Sequence, residues 1–234
     1  MVEPLISVAA ARRGLVLLPA AAFSEDGGAV IVMGRSRSGK SSLAFLALSS
    51  GRMLLGDDQV LLEAPRGCRP FPRRLRLYPD VRRTAPAAHA ALSSRRRRGL
   101  QLRWAADALS RGYVRPPIRV EATEVGLAAR SPLAIGRVVL IERGGSGREL
   151  SVAPLERGAV VEAGIALLAE QRAKLRTVAD ERWSGALAAA AEAEEVTLHQ
   201  VLQGVPAERV GLPAAWDAAQ AVGALAEHFR LGMA

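Results

Sequence analysis

Short apolar runs of strand length follow one another through the first third of the chain. Leu5 to Ala10, Leu15 to Leu18 and Ala29 to Met33 each have the length of a strand, and Arg-Arg-Gly and Asp-Gly-Gly turn signals separate them. Two more apolar runs, Met53 to Leu55 and Gln59 to Leu62, lie on either side of a Gly-Asp-Asp sequence. The pattern predicts a strand at each of these runs.

A helix is predicted between the third and the fourth of these strands. From Ser42 to Ser50 apolar residues recur at helical spacing, and Gly51 is placed to end the helix. A glycine-bounded loop, Gly34 to Ser41, connects the preceding strand to this helix. The predicted order is therefore strand, glycine-bounded loop and helix.

The centre of the chain is rich in arginine and proline. Seven prolines lie from Pro65 to Pro117, and because proline disrupts a helix interior, we predict loops, extended pieces and one short helix there. Further along, Ala134 to Glu142 and Glu149 to Ala153 flank a glycine-rich segment. These two runs predict a hairpin with Arg143 in its turn.

The last third of the chain is rich in alanine and leucine. Leu155 to Ala193 contains few helix breakers and predicts two helices that are parted near Thr177 or Gly185. Val196 to Leu202 and Pro213 to Arg230 predict a last pair of elements. We predict that these strands and helices form an α/β fold.

The composition is that of a folded chain. Of the 234 residues, 50% are hydrophobic and 24% are charged, whereas chains that stay unfolded are poor in apolar residues. We predict one domain spanning residues 1–234. The most apolar stretch, Leu5 to Phe23, is interrupted by Arg12 and Arg13, so we predict no membrane span and no membrane partner. The single cysteine, Cys68, excludes an internal disulfide and makes a reducing cytoplasm the simplest location.

The positive charge is concentrated in the centre. The net charge is +9, and residues 66–119, the predicted Arg-rich loop region, hold 15 arginines and two acids. In this region Arg95 to Arg98 could bind phosphate or an acidic peptide, because guanidinium groups match those oxygens, or could equally be a solvated loop. The sequence contains no recognisable nucleic-acid-binding motif, so it does not favour a nucleic-acid partner.

Gly34 to Ser41 matches the P-loop motif G-x-x-x-x-G-K-[ST] in full. The glycines let backbone N–H groups turn toward phosphate oxygens, and the following helix presents its positive end to the same anion. Lys40 is expected to reach the β- and γ-phosphates of a nucleotide, and the Ser41 hydroxyl to hold Mg²⁺. The predicted nucleotide-binding residues are Gly34, Ser36, Ser38, Gly39, Lys40, Ser41 and Ser42.

Two adjacent acids, Asp57 and Asp58, follow the strand predicted at Met53 to Leu55. A carboxylate at this point can hold Mg²⁺ or accept a proton from an attacking hydroxyl. Neighbouring residues of a strand point to opposite faces, so both acids can serve one site only if Asp57 lies at a strand end or a bulge. The same pair also occurs in solvated turns.

The segment GRSRSGKSSLAFLALSSGRMLLGDDQVLL resembles the HPr kinase/phosphorylase family, bacterial protein-serine kinases with a fold similar to ATP-dependent phosphoenolpyruvate carboxykinase. The spacing from Lys40 to Asp57 agrees with that family. Phe71 to Asp80 resembles smaller HPr-kinase-like proteins encoded beside peptide-modifying enzymes, including those that phosphorylate lasso-peptide precursors. Weaker resemblance continues through Ser131 to Glu142 and Val196 to Glu227, so it covers most of the chain. Only the P-loop and the paired acids are specific.

The resemblance implies a central mixed sheet flanked by helices and the chemistry of a P-loop kinase. It implies that Lys40 and Ser41 bind ATP and Mg²⁺, that Asp57 is the general base on the acceptor serine, and that Asp58 lies by the metal. Since members of this family are often oligomers, a homo-oligomer is a further expectation.

The acceptor is expected to differ from HPr. Pro19 stands where HPr kinases carry a histidine, and their Glu-Ile-Arg-Gly substrate-loop motif has no counterpart, which argues against regulation through HPr and against the reverse phosphorylase reaction. The predicted function is ATP-dependent phosphorylation of a serine on a peptide or protein, such as a ribosomally made precursor. The alternatives are a kinase of a small metabolite, and a non-catalytic nucleotide-dependent switch or nucleic-acid binder. The arginines expected to contact the acceptor or the transferring phosphoryl group are Arg73, Arg74 and Arg76.

Overall fold

The computed structural model describes residues 3–71, 73–111, 113, 116–176 and 183–231. Within these residues the chain forms an α/β fold in which helices cover both faces of a mixed nine-stranded sheet. The α/β class and the mixed central sheet flanked by helices are thereby confirmed. A separate two-stranded ribbon forms from the central region of the chain.

The elements have the following bounds. The strands of the main sheet are β1 (Leu15–Leu18), β2 (Ala21–Glu25), β3 (Gly28–Gly34), β4 (Leu54–Gly56), β5 (Val60–Glu63), β6 (Gly67–Arg69), β9 (Leu133–Gly145), β10 (Ser151–Pro154) and β11 (Ala207–Pro213). The ribbon pairs β7 (Leu75–Leu77) with β8 (Ile118–Val120). The helices are α1 (Glu3–Ala11), α2 (Lys40–Ser49), α3 (Val81–Thr84), α4 (Pro86–Ala91), α5 (Ser94–Leu109), α6 (Arg157–Arg176), α7 (Ser184–Val201) and α8 (Ala218–His228).

The strand order brings the ends of β3 and β4 to one edge of the sheet. β9 runs parallel to β3, and β11 runs parallel to β9. β2 lies antiparallel between β3 and β4, and because two antiparallel steps restore the direction, β3 and β4 run the same way. The chain that follows Gly34 and the chain that follows Gly56 therefore emerge at the same edge, which we call the loop edge.

Side chains that alternate along β3 divide the core between the two faces of the sheet. Val30 and Val32 pack with α2, α8 and the β7–β8 ribbon. Ile31 and Met33 point to the other face and pack with α6 and α7. Because both faces are covered, β3 consists of an unbroken apolar run rather than an alternation of apolar and polar residues.

Most of the N-terminal predictions are confirmed. The predicted strands at 15–18, 29–33, 53–55 and 59–62 correspond to β1, β3, β4 and β5, and the predicted helix at 42–50 corresponds to α2. Gly51 ends that helix with a φ of 83°. The strand β2 is not apparent from the sequence, because its first residues, Ala21 and Ala22, lack the branched side chains typical of strands.

The strand predicted at Leu5 to Ala10 is wrong, because this segment lies in the helix α1. Val8 and Ala11 are three residues apart, as on one face of a helix, and they pack beside Leu187 and Ala190 of α7. That contact joins two helices that lie far apart in the sequence. A local pattern cannot reveal it, and packing between distant segments routinely overrides local propensity.

The hairpin predicted from Ala134 to Ala153 is also wrong. β9 and β10 form as predicted, but β11 lies between them, parallel to β9 and antiparallel to β10. The strand β11 comes from Ala207–Pro213, which the sequence pattern divides between a gap and the final helix. Arg143 consequently lies on β9 and not in a turn.

The central region contains more regular structure than the prolines suggest. The prediction of loops and one short helix is wrong, because the 16-residue helix α5 occupies the proline-free interval between Pro86 and Pro116. The Ser93 side chain accepts a hydrogen bond from the Arg96 backbone N–H and caps this helix. Arg95 to Arg98 therefore belong to the first turns of α5 and not to a loop.

The two C-terminal helices predicted from Leu155 to Ala193 are confirmed as α6 and α7. The predicted break at Thr177 lies outside the described residues, and Gly185 lies inside α7. The element predicted at Val196 to Leu202 is the end of α7, and the element predicted at Pro213 to Arg230 contains α8. Of the described helices, none has the length and apolar character needed to span a bilayer.

The turn after β4 requires a glycine at position 56. A Cβ added to Gly56 would lie 2.2 Å from the backbone carbonyl oxygen of Gln59, so Gly56→Ala should force the turn open. We expect a loss of about 1–3 kcal/mol in the free energy of unfolding, measured by urea denaturation. The matched control is Gly223→Ala in α8, where an added Cβ meets nothing within 4 Å and should stabilise by about 0.5–1 kcal/mol. Equal effects of the two substitutions would contradict the tight turn.

Candidate phosphate-binding site

The glycine-bounded loop lies between β3 and α2 at the loop edge, and its backbone requires its glycines. Gly39 precedes α2 with a φ of 102°, a conformation that favours glycine. Gly34 has a φ of 151°, and a Cβ there would lie 2.7 Å from the carbonyl oxygen of Ile141 on β9. The first motif glycine thus allows the loop to approach the neighbouring strand, and the second allows the sharp entry into α2.

The ammonium group of Lys40 lies across the loop. Its Nζ donates hydrogen bonds to the carbonyl oxygens of Gly34 at 2.5 Å and Arg35 at 2.9 Å, and lies 3.4 Å from Ser38 Oγ. Burial lowers the pKa of Lys40, and the negative charges of Asp58 and Asp57 oppose that shift. The predicted lysine is therefore held at the loop, close to both predicted acids.

Asp57 follows the last residue of β4 and is buried, with 8% of its surface exposed. Burial raises the pKa of its carboxyl group to about 6, while hydrogen bonds from the Ser41 side chain and the Arg76 backbone act in the opposite direction. The carboxylate oxygen Oδ1 is buried and has no hydrogen-bond partner among the described residues. A buried oxygen with unused acceptor capacity can receive a proton or bind a cation.

Asp58 has a different environment from its neighbour. Its side chain is 54% exposed, and its Oδ2 lies 3.6 Å from Arg73 Nη1 and 3.9 Å from Arg76 Nη1. Arg73 also donates a hydrogen bond to Gln59 Oε1 at 3.0 Å. The position of the pair just after β4 meets the condition for both acids to serve one site, because neither lies inside the strand.

A cavity of about 620 Å³ opens at the loop edge between the P-loop and these acids. Of the residues predicted to bind nucleotide, all line it except Gly34, which shapes the backbone beneath. The lining residues are Ser36, Arg37, Ser38, Gly39, Lys40, Ser41, Ser42, Asp57, Asp58, Arg76, Tyr78, Pro79, Asp80, Asp107, Arg143, Ala218, Ala221 and Val222. The cavity brings together segments from six separate parts of the sequence.

The three predicted substrate arginines lie in different places. Arg76 lines the cavity, and Arg73 reaches Asp58 at its border. Arg74 is directed away from the cavity and pairs with Glu121, with Nε 2.6 Å from Oε1. Arg73 and Arg76 can therefore act at the P-loop, whereas Arg74 belongs to another surface.

Sequence reasoning missed Arg143. It lies near the end of β9, and its Nη2 donates a hydrogen bond to the Trp216 carbonyl oxygen at 2.6 Å, which holds the guanidinium at the cavity wall. The position of an arginine at the end of a long apolar run is a signal that could have found it, because β9 is the parallel neighbour of β3 and ends at the same edge.

The described residues contain no group of three or more His, Cys, Asp and Glu side chains that could hold a metal ion by themselves. Ser41 and the two carboxylates form a smaller set of oxygen ligands. That set is suited to Mg²⁺, which proteins commonly hold through one or two carboxylates together with phosphate oxygens.

Comparison of the chain with known proteins adds no assignment. No protein-family model matches it, and no curated protein is significantly similar to it. The function is therefore inferred from the chain's own residues and geometry.

The raised pKa of Asp57 predicts a gain in stability on its removal. Burial raises the pKa of Asp57 from its ordinary value of 3.8 to about 6. Between these two pH values the folded chain binds more protons at Asp57 than the unfolded chain does, so the free energy of unfolding falls as the pH rises through the interval. Asp57→Asn should raise the free energy of unfolding by up to about 3 kcal/mol at neutral to alkaline pH and by little near pH 4. Urea denaturation across this range measures the difference.

The control for this prediction is Asp26→Asn, in the exposed turn between β2 and β3. It makes the same substitution at an exposed position, and its effect on the free energy of unfolding is the reference for that of Asp57→Asn. A stability difference between wild type and Asp57→Asn that is equally large at both ends of the pH range would show that the carboxyl group is not destabilised by burial.

Proposed function

We propose that the protein is an ATP-dependent kinase that phosphorylates a serine hydroxyl on a peptide or protein. The observation that carries this proposal is the buried carboxylate of Asp57, which shares a cavity and a hydrogen bond with Ser41 of the P-loop. A P-loop alone indicates phosphate binding. A partly unsatisfied carboxylate beside it adds a group that can act on the hydroxyl of an acceptor.

The triphosphate of a nucleotide fits the charges and donors of the loop edge. The loop ends at the N-terminus of α2, where backbone N–H groups and the helix dipole favour an anion. Lys40, Arg76 and Arg143 add three cations around the same cavity. In phosphoryl transfer the protein chiefly positions the reactants and stabilises the negative charge that spreads over the phosphoryl oxygens.

Mg²⁺ fits the oxygen ligands of the site. Ser41 and Asp58 would hold it. Asp57, whose buried Oδ1 has no hydrogen-bond partner among the described residues, lines the same cavity. The metal would supply neutralisation of phosphate charge. Asp58 is in turn oriented by Arg73 and Arg76, both within 4 Å of it.

Asp57 is the group that we assign as proton acceptor. Its pKa of about 6 leaves it mostly ionised at neutral pH yet more basic than an ordinary carboxylate. A base with a pKa near the working pH is effective, because it combines the correct protonation state with sufficient affinity for the proton. The oxygen Oδ1 is the atom that would take the proton, since it has no partner among the described residues.

We further propose that the fold is of the HPr kinase/phosphoenolpyruvate carboxykinase type. The proposal is supported by the P-loop and by Asp57 and Asp58, which resemble those of that family, and is compatible with the mixed sheet flanked by helices. Pro19, in place of the histidine of HPr kinases, supports an acceptor other than HPr. A peptide or protein acceptor agrees with the Phe71 to Asp80 segment, which resembles that of peptide-modifying kinases.

Loss of the Lys40 ammonium should suppress transfer more than folding. Lys40→Met is expected to lower kcat by about 10²- to 10³-fold or more, because an electrostatic contact to the transferring group is removed. The measurement is incubation with γ-labelled ATP and a library of serine peptides and proteins, followed by mass spectrometry. Arg148→Met, on the exposed β9–β10 connection, is the control. Unchanged transfer in a folded Lys40→Met protein would contradict the proposal.

The pH dependence of the rate should report Asp57. Because the ionised carboxylate is the active form, kcat/KM should fall as the pH drops below about 6 and level off above it. Asp57→Asn should lower kcat by about 10²- to 10⁴-fold, with its fold retained. A rate that is independent of pH between about 5 and 8 in the wild-type protein would exclude Asp57 as the proton acceptor.

A further inference from the structure

A second cavity, of about 560 Å³, lies on the surface of the central region and is lined by arginines from three elements. Arg95, Arg96 and Arg103 come from α5, Arg119 comes from β8, and Arg74 precedes β7. We call it the arginine cavity. Its remaining lining residues are Gly99, Pro117, Ile118, Glu121 and Glu124.

The helix α5 gives the arginine cavity its shape. Arg95, Gly99 and Arg103 are spaced four residues apart and therefore lie along one face of the helix. Gly99 leaves that face open, since a Cβ there would contact Arg103 Nη1 at 3.5 Å and Ile118 Cγ2 at 3.8 Å. Two arginines thus project on either side of a gap with an apolar floor.

Two of the five guanidinium groups are neutralised by carboxylates. Arg74 pairs with Glu121 at 2.6 Å, and Arg96 forms a two-pronged contact with Glu124 at 3.0 and 3.1 Å. These pairs fix the walls of the cavity. Since two acids oppose five arginines, the lining retains a net charge of three positive groups.

The other three guanidinium groups retain donors for a ligand. The side chains of Arg95 and Arg119 form no hydrogen bond or ion pair with the residues that the structure describes. Arg103 donates through Nη1 to the Gly99 carbonyl oxygen at 3.2 Å, but its Nε is buried and has no partner in the described part of the chain. An unsatisfied buried donor of a cation is costly. The side-chain donors of Arg95 and Arg119 can form charge-assisted hydrogen bonds with an anion in the cavity.

The arginine cavity adjoins the P-loop cavity along two independent elements. Along β7, Arg74 lines the former and Arg76 lines the latter, two residues or roughly 7 Å apart. Along α5, Arg103 lines the former and Asp107 the latter, one helical turn or about 6 Å apart. An extended peptide advances about 3.3 Å per residue, so about two residues span the separation of these lining residues, and about two to four reach from inside one cavity into the other.

We infer that the arginine cavity is a docking subsite for acidic side chains of the peptide acceptor, placed about two to four residues from the serine that enters the P-loop cavity. This inference rests on the proposed function and names its substrate class. Guanidinium forks match carboxylates. The lining contains no aromatic residue on which a base could stack, so the cavity fits an acidic peptide better than a nucleic acid.

The test compares peptides that differ only in charge. Each of three nine-residue peptides contains one serine. The first has three aspartates on the N-terminal side of the serine and asparagines on the other side, the second has the reverse arrangement, and the third has asparagines on both sides. For one of the two aspartate peptides we expect a kcat/KM about tenfold or more above that of the asparagine peptide. The double variant Arg95→Gln/Arg119→Gln should raise KM for that peptide and abolish the preference.

The control is Arg12→Gln/Arg148→Gln, which removes two exposed arginines that line neither cavity. It should keep the preference for aspartate, whereas an equal loss in both double variants would indicate a general charge effect and overturn the subsite. Measurable phosphoryl transfer with equal kcat/KM for all three peptides in the wild-type protein would also overturn it. Circular dichroism and urea denaturation confirm that both variants fold.

A binding measurement separates this inference from the proposed function. Fluorescence anisotropy of the labelled aspartate peptides is recorded with the Lys40→Met protein in the absence of ATP. If the aspartate peptides bind and this binding requires Arg95 and Arg119, the subsite is supported even where the wild-type protein transfers no phosphoryl group. That combination of results would refute the proposed kinase activity alone. Pyrophosphate and a single-stranded oligonucleotide serve as competitors. If pyrophosphate or the oligonucleotide binds through Arg95 and Arg119 and the aspartate peptides do not bind, the cavity is a site for that anion and the inference is overturned.

Discussion

The candidate site depends on the contact between the Asp57 carboxylate and the Ser41 side chain. This contact joins the end of β4 to the first turn of α2. Along the chain, the rest of α2 and the strand β4 lie between the two residues. It holds a carboxyl group in a buried position where the ionised form is disfavoured. Hydrogen bonds from Ser41 and the Arg76 backbone, together with the positive charge of Lys40, compensate only part of that burial. The protein thus keeps a partly unsatisfied acid beside a loop that is built to receive an anion.

The order of the strands makes this contact possible. β2 separates β3 from β4 and is antiparallel to both, so the P-loop and Asp57 emerge at the same edge although they belong to strands that are not adjacent. On the other side of β3, the parallel strand β9 brings Arg143 to the same edge. The two acids and the cations around them are therefore positioned by backbone pairing, which is more rigid than a set of long loops.

The sequence predicts the parts of the structure that local chemistry determines. The P-loop and its helix, and the acids after β4, are specified by glycines, spacing and apolar runs that lie close together in the chain. The features that it fails to predict depend on distant partners. The helix α1 packs against α7, and the strand β11 lies between β9 and β10. The helix α5 forms in a proline-free interval and has a short apolar face. Arg143 was placed in a turn because the partner of β9 was unknown.

The hydrogen bonds of Lys40 have a consequence for which anions the loop can retain. The ammonium group already donates to two carbonyl oxygens of its own loop and lies near Ser38 Oγ, so its three protons all have internal acceptors. Any incoming anion must compete with these dipoles for the same protons. A weakly charged ion gains little from that exchange, whereas a polyanion gains a charge-assisted bond in place of neutral ones. Under the proposed function, the loop would therefore select anions by charge density before a base or a sugar is recognised.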